Sequence, residues 1–250
     1  MNDYEKKSLE EMLEWNKKMV QRPSSLGTAS KSIQNKMSSI IPEKIQETIT
    51  EVIKNMVLMV INGSMLTSGG TTKKGNLEKR ENLVRKNINL YKKTAMFTGA
   101  GTGAGGLVIG LADFPILVSL KIKLLFQIAN IYGFNVNNYK ERLYILHVFE
   151  IAFSSDEKRI EVYDKVANWD AFAKGLPDSL ELFDWRDFQQ QYIDYIDIAK
   201  MLQLVPVIGV PVGAIANYKL MDKLGYTAMN AYRLRIFKPV NKSKEIQLGV

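Results

Sequence analysis

The sequence contains no cysteine and a single histidine, His147. Without cysteine there is no disulfide framework and no thiolate nucleophile, a composition that fits a reducing compartment. One histidine cannot supply a Ser–His or Cys–His nucleophile together with an independent metal site, and zinc sites of the usual composition are excluded. His147 itself stands one turn before Glu150 in an apolar stretch and reads as a core or helix-surface residue. The N-terminal MNDYEKKSLEEMLEWNKKMV is charged throughout and lacks the apolar region of a signal peptide, so a cytoplasmic location is expected. No segment reads as the roughly 20 predominantly apolar residues of a spanning helix. Ala95 to Ala112 carries no charge, but Gly99, Gly101, Gly103, Gly105, Gly106 and Gly110 lower both its hydrophobicity and its helix propensity.

That glycine-rich run is nevertheless the most distinctive stretch. Gly101, Gly103 and Gly106 fit the letters of a dinucleotide-binding fingerprint, but no strand-like segment precedes them and no Gly-Lys-Ser/Thr follows, so a phosphate loop is not expected. The spacings Gly99/Gly103, Gly101/Gly105 and Gly106/Gly110 instead make a small-residue face that another helix can approach closely. Asp113 is placed to cap a following helix, Pro115 suits its first turn, and Gly133 supplies its stop. Lys121 shares the apolar stripe of Leu117, Leu125 and Ile128 in that helix. Its expected solution is a stem packed on apolar surface with the amine in water. A second uncharged run, MLQLVPVIGVPVGAIANY from Met201 to Tyr218, repeats the pattern: Gly209 and Gly213 are four apart, Pro206 and Pro211 break or kink a helix, and Asn217 opens an amphipathic helix. The two runs are expected to pack together at the centre of the fold.

The formal net charge is +8, with basic excess before residue 113 and after residue 200 and acidic excess between. The densest basic stretch holds Lys73, Lys74, Lys79, Arg80, Arg85, Lys86, Lys92 and Lys93 against Glu78 and Glu81, and leads directly into the first glycine run. Basic side chains beside an apolar segment suit an anionic membrane surface, at about 1 kcal/mol each. An ordinary solvated helix face is the competing reading. Nucleic acid is not expected, because no helix-turn-helix signature or aromatic stacking motif accompanies the charge.

Read in order, residues 1–32 form an N-terminal amphipathic helix or arm, 33–238 a helical domain, and 239–250 a basic disordered tail. Ile45, Ile49, Val52, Ile53, Met56, Val57 and Val60 mark a core helix after Pro42. Asn62 to Asn76 is a glycine-, serine- and threonine-rich loop. Ser154 and Glu157 stand at capping-box spacing. A long helix then starts at Trp185, carrying Asp187, Asp194 and Asp197 close to one face. Those acids could bind a divalent cation or act as an acid/base pair, which gives a candidate catalytic set of Asp194 and Asp197 with Lys121 or Lys200. The competing reading is a structural network with Lys121 or Arg142.

The ordered segments TGAGTGAGG, GLADFP, FQIANIYG, ERLYILHVFEIAFSSDEKR, FQQQYIDYIDIAKMLQLVPVIG and GAIANYKLMDKLGYTAMNAYRLR resemble the EcsC family over roughly Gln34 to Phe237. The resemblance implies an accessory or regulatory protein associated with an ABC exporter and secretion, without an assigned reaction or agreed catalytic residues. Positions matching the family's motifs are Gly101, Gly103, Asp113, Pro115, Gln127, Gly133, Asp194, Asp197, Lys200, Pro206, Gly209, Gly213 and Asn217.

These readings converge on an all-α single multi-helix domain of about eight to ten helices, with the two glycine-rich segments packed centrally and no cofactor or metal. The expected function is that of a cytoplasmic, peripheral membrane accessory protein. Lys73 to Lys93 would meet anionic lipid. Gly101, Gly105, Gly106, Gly209, Gly213 and Lys121 would meet lipid or an apolar helix of a partner such as an exporter component. A hydrolase of lipid or peptide, and a purely structural interaction module, are the alternatives.

Overall fold

The computed structural model describes residues 1–21, 42–63, 75–100, 106–196 and 210–248. Among them are nine α-helices: α1 Asp3–Val20, α2 Glu43–Ile61, α3 Leu77–Ala100, α4 Gly106–Tyr132, α5 Tyr139–Phe153, α6 Asp156–Ala167, α7 Trp169–Lys174, α8 Trp185–Tyr195 and α9 Val210–Leu248. The described residues contain no strand, only an isolated antiparallel bridge between Ser154 and Ile196. The fold is all-α.

Local chemistry sets most helix ends. Asn2 and Glu5 form a reciprocal capping box at the start of α1, satisfying two N–H groups that the helix leaves free. Leu9, Met12 and Trp15 then bury one face of α1 against α9, α6 and α3. Gly133 ends α4 with φ of 89°. Its N–H donates to the Asn130 carbonyl and that of Phe134 to the Ala129 carbonyl, the paired closure that a left-handed residue allows.

Helix α5 is the most enclosed element. Every residue in it except Lys140 is buried, as its sequence LYILHVFEIAF, apolar on all sides, demands. It packs against α2, α4, α6 and α9, while α9 runs along α3 and α4. Helix α4 is the second spine: Leu117, Ile122, Leu124, Leu125, Phe126 and Ile128 have no exposed surface. Close approach of α9 to α3 depends on Gly225, where a Cβ would stand 2.7 Å from the Ile88 side chain.

Several local expectations are corrected. Pro115 lies inside α4, not in its first turn, and Asp113 is within the helix instead of capping it. The uncharged residues from Gly106 sustain helical backbone across the proline, whose missing donor is offset by the burial of the turns that follow. The cap of α6 is Ser155, which accepts from the Lys158 N–H at 3.3 Å, while Ser154 is buried at the bridge. Helix α8 stops at Tyr195, short of the long helix expected from Trp185, because Ile196 turns extended to pair with Ser154. Helix α9 runs from Val210 to Leu248. By length and mean hydropathy of 1.5, Asp113–Tyr132 is also long and apolar enough to cross a membrane, although 67% of it is buried inside the bundle, as in a core helix.

Candidate functional site

Helix α3 divides the basic residues into two populations. Leu77, Glu81, Val84, Ile88, Lys92 and Ala95 are buried, the 4-4-3 repeat of an amphipathic core face. The opposite face carries Lys79, Leu83, Lys86, Leu90, Lys93 and Phe97 at intervals of four and three, all exposed. Leu83 is 45%, Leu90 60% and Phe97 69% exposed. Lysine and large apolar side chains thus alternate along one solvent-facing stripe, flanked by exposed Asn82, Asn89 and Thr94. The only acids in α3 are Glu78 in its first turn and the buried Glu81.

The other basic residues of α3 are committed inside the protein. Arg80 donates to the Tyr132 carbonyl at 3.0 Å. Arg85 donates to the Tyr4 hydroxyl at 2.6 Å and lies 3.5 Å from Glu81. Lys92 is paired with Asp222 at 2.5 Å and sits 4.3 Å from the centre of the Tyr218 ring. Burial opposes its charge, but the Asp222 carboxylate and Tyr218 raise its pKa. Lys73 and Lys74 lie outside the described residues. The expected basic set therefore contributes three outward cations among the described residues of α3, not a uniform patch.

Glu81 is the anchor of the inner face. Its carboxylate, without exposed surface, accepts from Arg233 Nε at 2.8 Å and Nη2 at 2.6 Å, from the Tyr4 hydroxyl at 2.7 Å and from the Tyr132 hydroxyl at 3.0 Å. Burial alone would raise this carboxyl; the Arg233 guanidinium and the two phenols hold it below its usual range. Arg233 also reaches Glu11 at 2.9 Å and Asn230 at 3.1 Å. One buried cluster thus joins α1, α3, α4 and α9. Nothing in local periodicity singles out Glu81, apart from its isolation among lysines and arginines.

Lys121 is fully buried, contrary to the expected exposed amine. Desolvation lowers its pKa to about 7, and its amine donates to Asn217 Oδ1 at 3.3 Å. The apolar stripe around Leu117, Leu125 and Ile128 leaves no path for the stem to reach water. Asn217, equally buried, lies in α9 within the second uncharged run, so α4 and α9 are in contact here. Gly101, Gly105, Gly209 and Pro206 lie outside the described residues, as do Asp197 and Lys200; Gly106 and Gly213 fall within α4 and α9.

The described acids of α8 are engaged by neighbouring glutamines. Asp187 accepts from Gln191 at 2.6 Å and Asp194 from Gln190 at 3.3 Å, and all four side chains are exposed. Arg142 instead donates to the carbonyls of Ile61, Val136 and Asn137. Neither Lys121 nor Arg142 is the partner of Asp187 or Asp194. His147 Nδ1 is 2.8 Å from Glu150 Oε2, both residues buried, with Trp169, Phe172 and Phe188 presenting rings around the imidazole. No group of three or more potential metal-ligating side chains occurs among the described residues.

Comparison with known proteins places this architecture. The family model of the EcsC protein family matches residues 6–237. The chain belongs to the EcsC family. It is 42% identical over 231 residues to Protein EcsC of Bacillus subtilis (strain 168), covering 92% of this chain and 95% of that protein. It is also similar to Uncharacterized protein YdbA of the same organism, 28% identical over 141 residues, 56% of this chain and 52% of that one. No solved structure matches.

Proposed function

We propose that this EcsC-family chain is an accessory protein of the cytoplasmic membrane surface that docks on anionic lipid through the outward face of α3. The observation that carries the reading is the exposed alternation Lys79, Leu83, Lys86, Leu90, Lys93 and Phe97. A helix that buries one apolar face in its own core has no folding reason to expose a second row of leucine and phenylalanine between lysines. The pattern suits an interface where the ammonium groups meet lipid phosphates and the apolar groups enter the acyl boundary. The formal charge of +8 favours the same encounter. A membrane protein partner, an exporter component by the family resemblance, would be met on this surface.

Liposome co-flotation of the purified protein with anionic and neutral vesicles, at low and high salt, tests the reading. Binding to anionic vesicles that salt weakens supports it. Absence of binding to either vesicle sinks it.

A further inference from the structure

Where α3 begins and α4 ends, the connection between α4 and α5 is held between two arginines. Arg80 of α3 donates Nη1 to the Tyr132 carbonyl at 3.0 Å, where α4 ends. Arg235 of α9 lies 3.9 Å from the centre of the Phe134 ring and 4.5 Å from that of Tyr144. Between them opens a cleft of about 520 Å³, lined by both arginines with Phe134, Asn135, Asn138 and Ile236 among its walls. That volume is in the range of small-molecule sites, roughly 300–1,000 Å³.

The donors around this cleft exceed the acceptors available to them. Arg235 gives Nη1 to Glu141, at 2.9 and 2.7 Å; among the described residues its Nε and Nη2 make no hydrogen bond. Arg80 Nε is buried without a partner. Asn135 and Asn138 use their carbonyl oxygens to accept from the N–H groups of Asn137 and Lys140, which leaves both amide NH₂ groups to donate. Glu141, the acid in the lining, is already engaged by Arg235 and by the Tyr232 hydroxyl at 2.9 Å. A guanidinium fork matches phosphate oxygens in pairs, and packing Arg235 on aromatic rings holds its fork in one plane.

We propose that this cleft binds a phosphate monoester, its dianion shared by Arg80 and Arg235 and its organic part resting on Phe134 and Ile236. A bare phosphate would leave much of the cleft unfilled, whereas an ester with a small polar body would occupy it. The same chemistry is offered by a soluble phosphate ester and by the headgroup of phosphatidic acid. The site is separate from the outward stripe of α3, so its occupancy does not depend on docking of that stripe.

Isothermal titration of the full chain with inorganic phosphate, glycerol 3-phosphate and dihexanoyl phosphatidic acid below its micellar concentration tests the site. Saturable binding of glycerol 3-phosphate identifies a soluble ester as sufficient, and binding of phosphatidic acid alone identifies the lipid headgroup. Either supports the proposal if Arg80→Gln weakens it by about tenfold or more, as expected for loss of charge-assisted donors. Asn135→Asp serves as the second variant: it retains the acceptor for Asn137 at an exposed position and places a carboxylate beside the anion, so it should abolish binding even if Arg80→Gln fails to fold. No saturable binding of any of the three probes, of inorganic phosphate alone, or binding unchanged by Asn135→Asp overturns the proposal.

Discussion

The Lys121 amine on α4 meets the Asn217 side-chain carbonyl on α9 at 3.3 Å, with neither residue exposed to solvent. This contact ties α4 to α9, at a cost in charge solvation. Because burial lowers the Lys121 pKa to about 7 from an ordinary 10.5, the unfolded chain binds the proton more tightly than the folded one. Above pH 10.5 both states are neutral and no penalty exists; it grows as pH falls towards 7 and is constant below that. Lys121 thus makes stability rise with pH between about 7 and 10.5, by about 1.4 kcal/mol for each unit of pKa shift. Lys121→Met should stabilise the protein at pH 7, and the difference from wild type should shrink by pH 9.5. Paired denaturant titrations at the two pH values check this. An equal difference at both would show that the amine is not desolvated.

The burial of Lys121 also marks where sequence reading stops. Its place on the apolar stripe is legible from spacing, but whether a four-carbon stem reaches water depends on the helix that crosses above it. The glycine signal was more direct: Gly133 ends α4 in the left-handed conformation that its place in the sequence suggests. Asp113 and Pro115 misled because cap and first-turn chemistry is also tolerated within a helix when surrounding burial outweighs the lost bond. The stripe of Lys79, Lys86 and Lys93 was contained in the basic set, but separating it from Arg80, Arg85 and Lys92 required partners distant in sequence. Arg233, the partner of Glu81, stands 152 residues away, and no periodicity reports such a pairing.

Glu81 and Arg233 make the second prediction. Both side chains are buried and share two short hydrogen bonds, so removal of one leaves an uncompensated charge. Arg233→Met should cost about 3–5 kcal/mol, whereas the double variant Glu81→Leu/Arg233→Met should recover a substantial part. The Glu81 pKa is lowered in the folded state, so its stabilisation is present above the ordinary carboxylate range. It is lost as pH falls through the lower folded value. Glu81→Gln should therefore flatten part of the acid-induced loss of stability below about pH 4.5, measured by urea unfolding across pH. An acid limb identical to wild type would show that Glu81 is not ionised in the cluster.

Close approach of α3 and α9 makes the third. A Cβ at Gly225 would lie 2.7 Å from both Ile88 Cδ1 and Cγ1 and 3.1 Å from Cγ2. The crowding therefore involves the branched body of the side chain as well as its tip. Gly225→Ala should destabilise by about 1–3 kcal/mol through overpacking, despite the better helix propensity of alanine. Ile88→Val in the same background should return part of the loss. A Gly225→Ala protein more stable than wild type would show that the helices separate at little cost.

The outward face of α3 makes the last prediction, and its two side-chain chemistries can be separated. Lys79→Gln/Lys86→Gln/Lys93→Gln removes three charges at exposed positions without touching the core. Near an anionic surface each is worth about 1 kcal/mol, so binding to anionic vesicles should fall on the order of 100-fold and lose most of its salt dependence. Leu90→Ser/Phe97→Ser removes the apolar groups and leaves the charges. Its remaining binding should be weaker, still confined to anionic vesicles and more sensitive to salt, because only the electrostatic part survives. Thermal stability of both variants should stay close to wild type, since none of the five side chains is buried. If the lysine variant bound as wild type does while the apolar variant did not bind at all, lipid charge would have no part in docking. The face would then be better matched to the apolar surface of a protein helix.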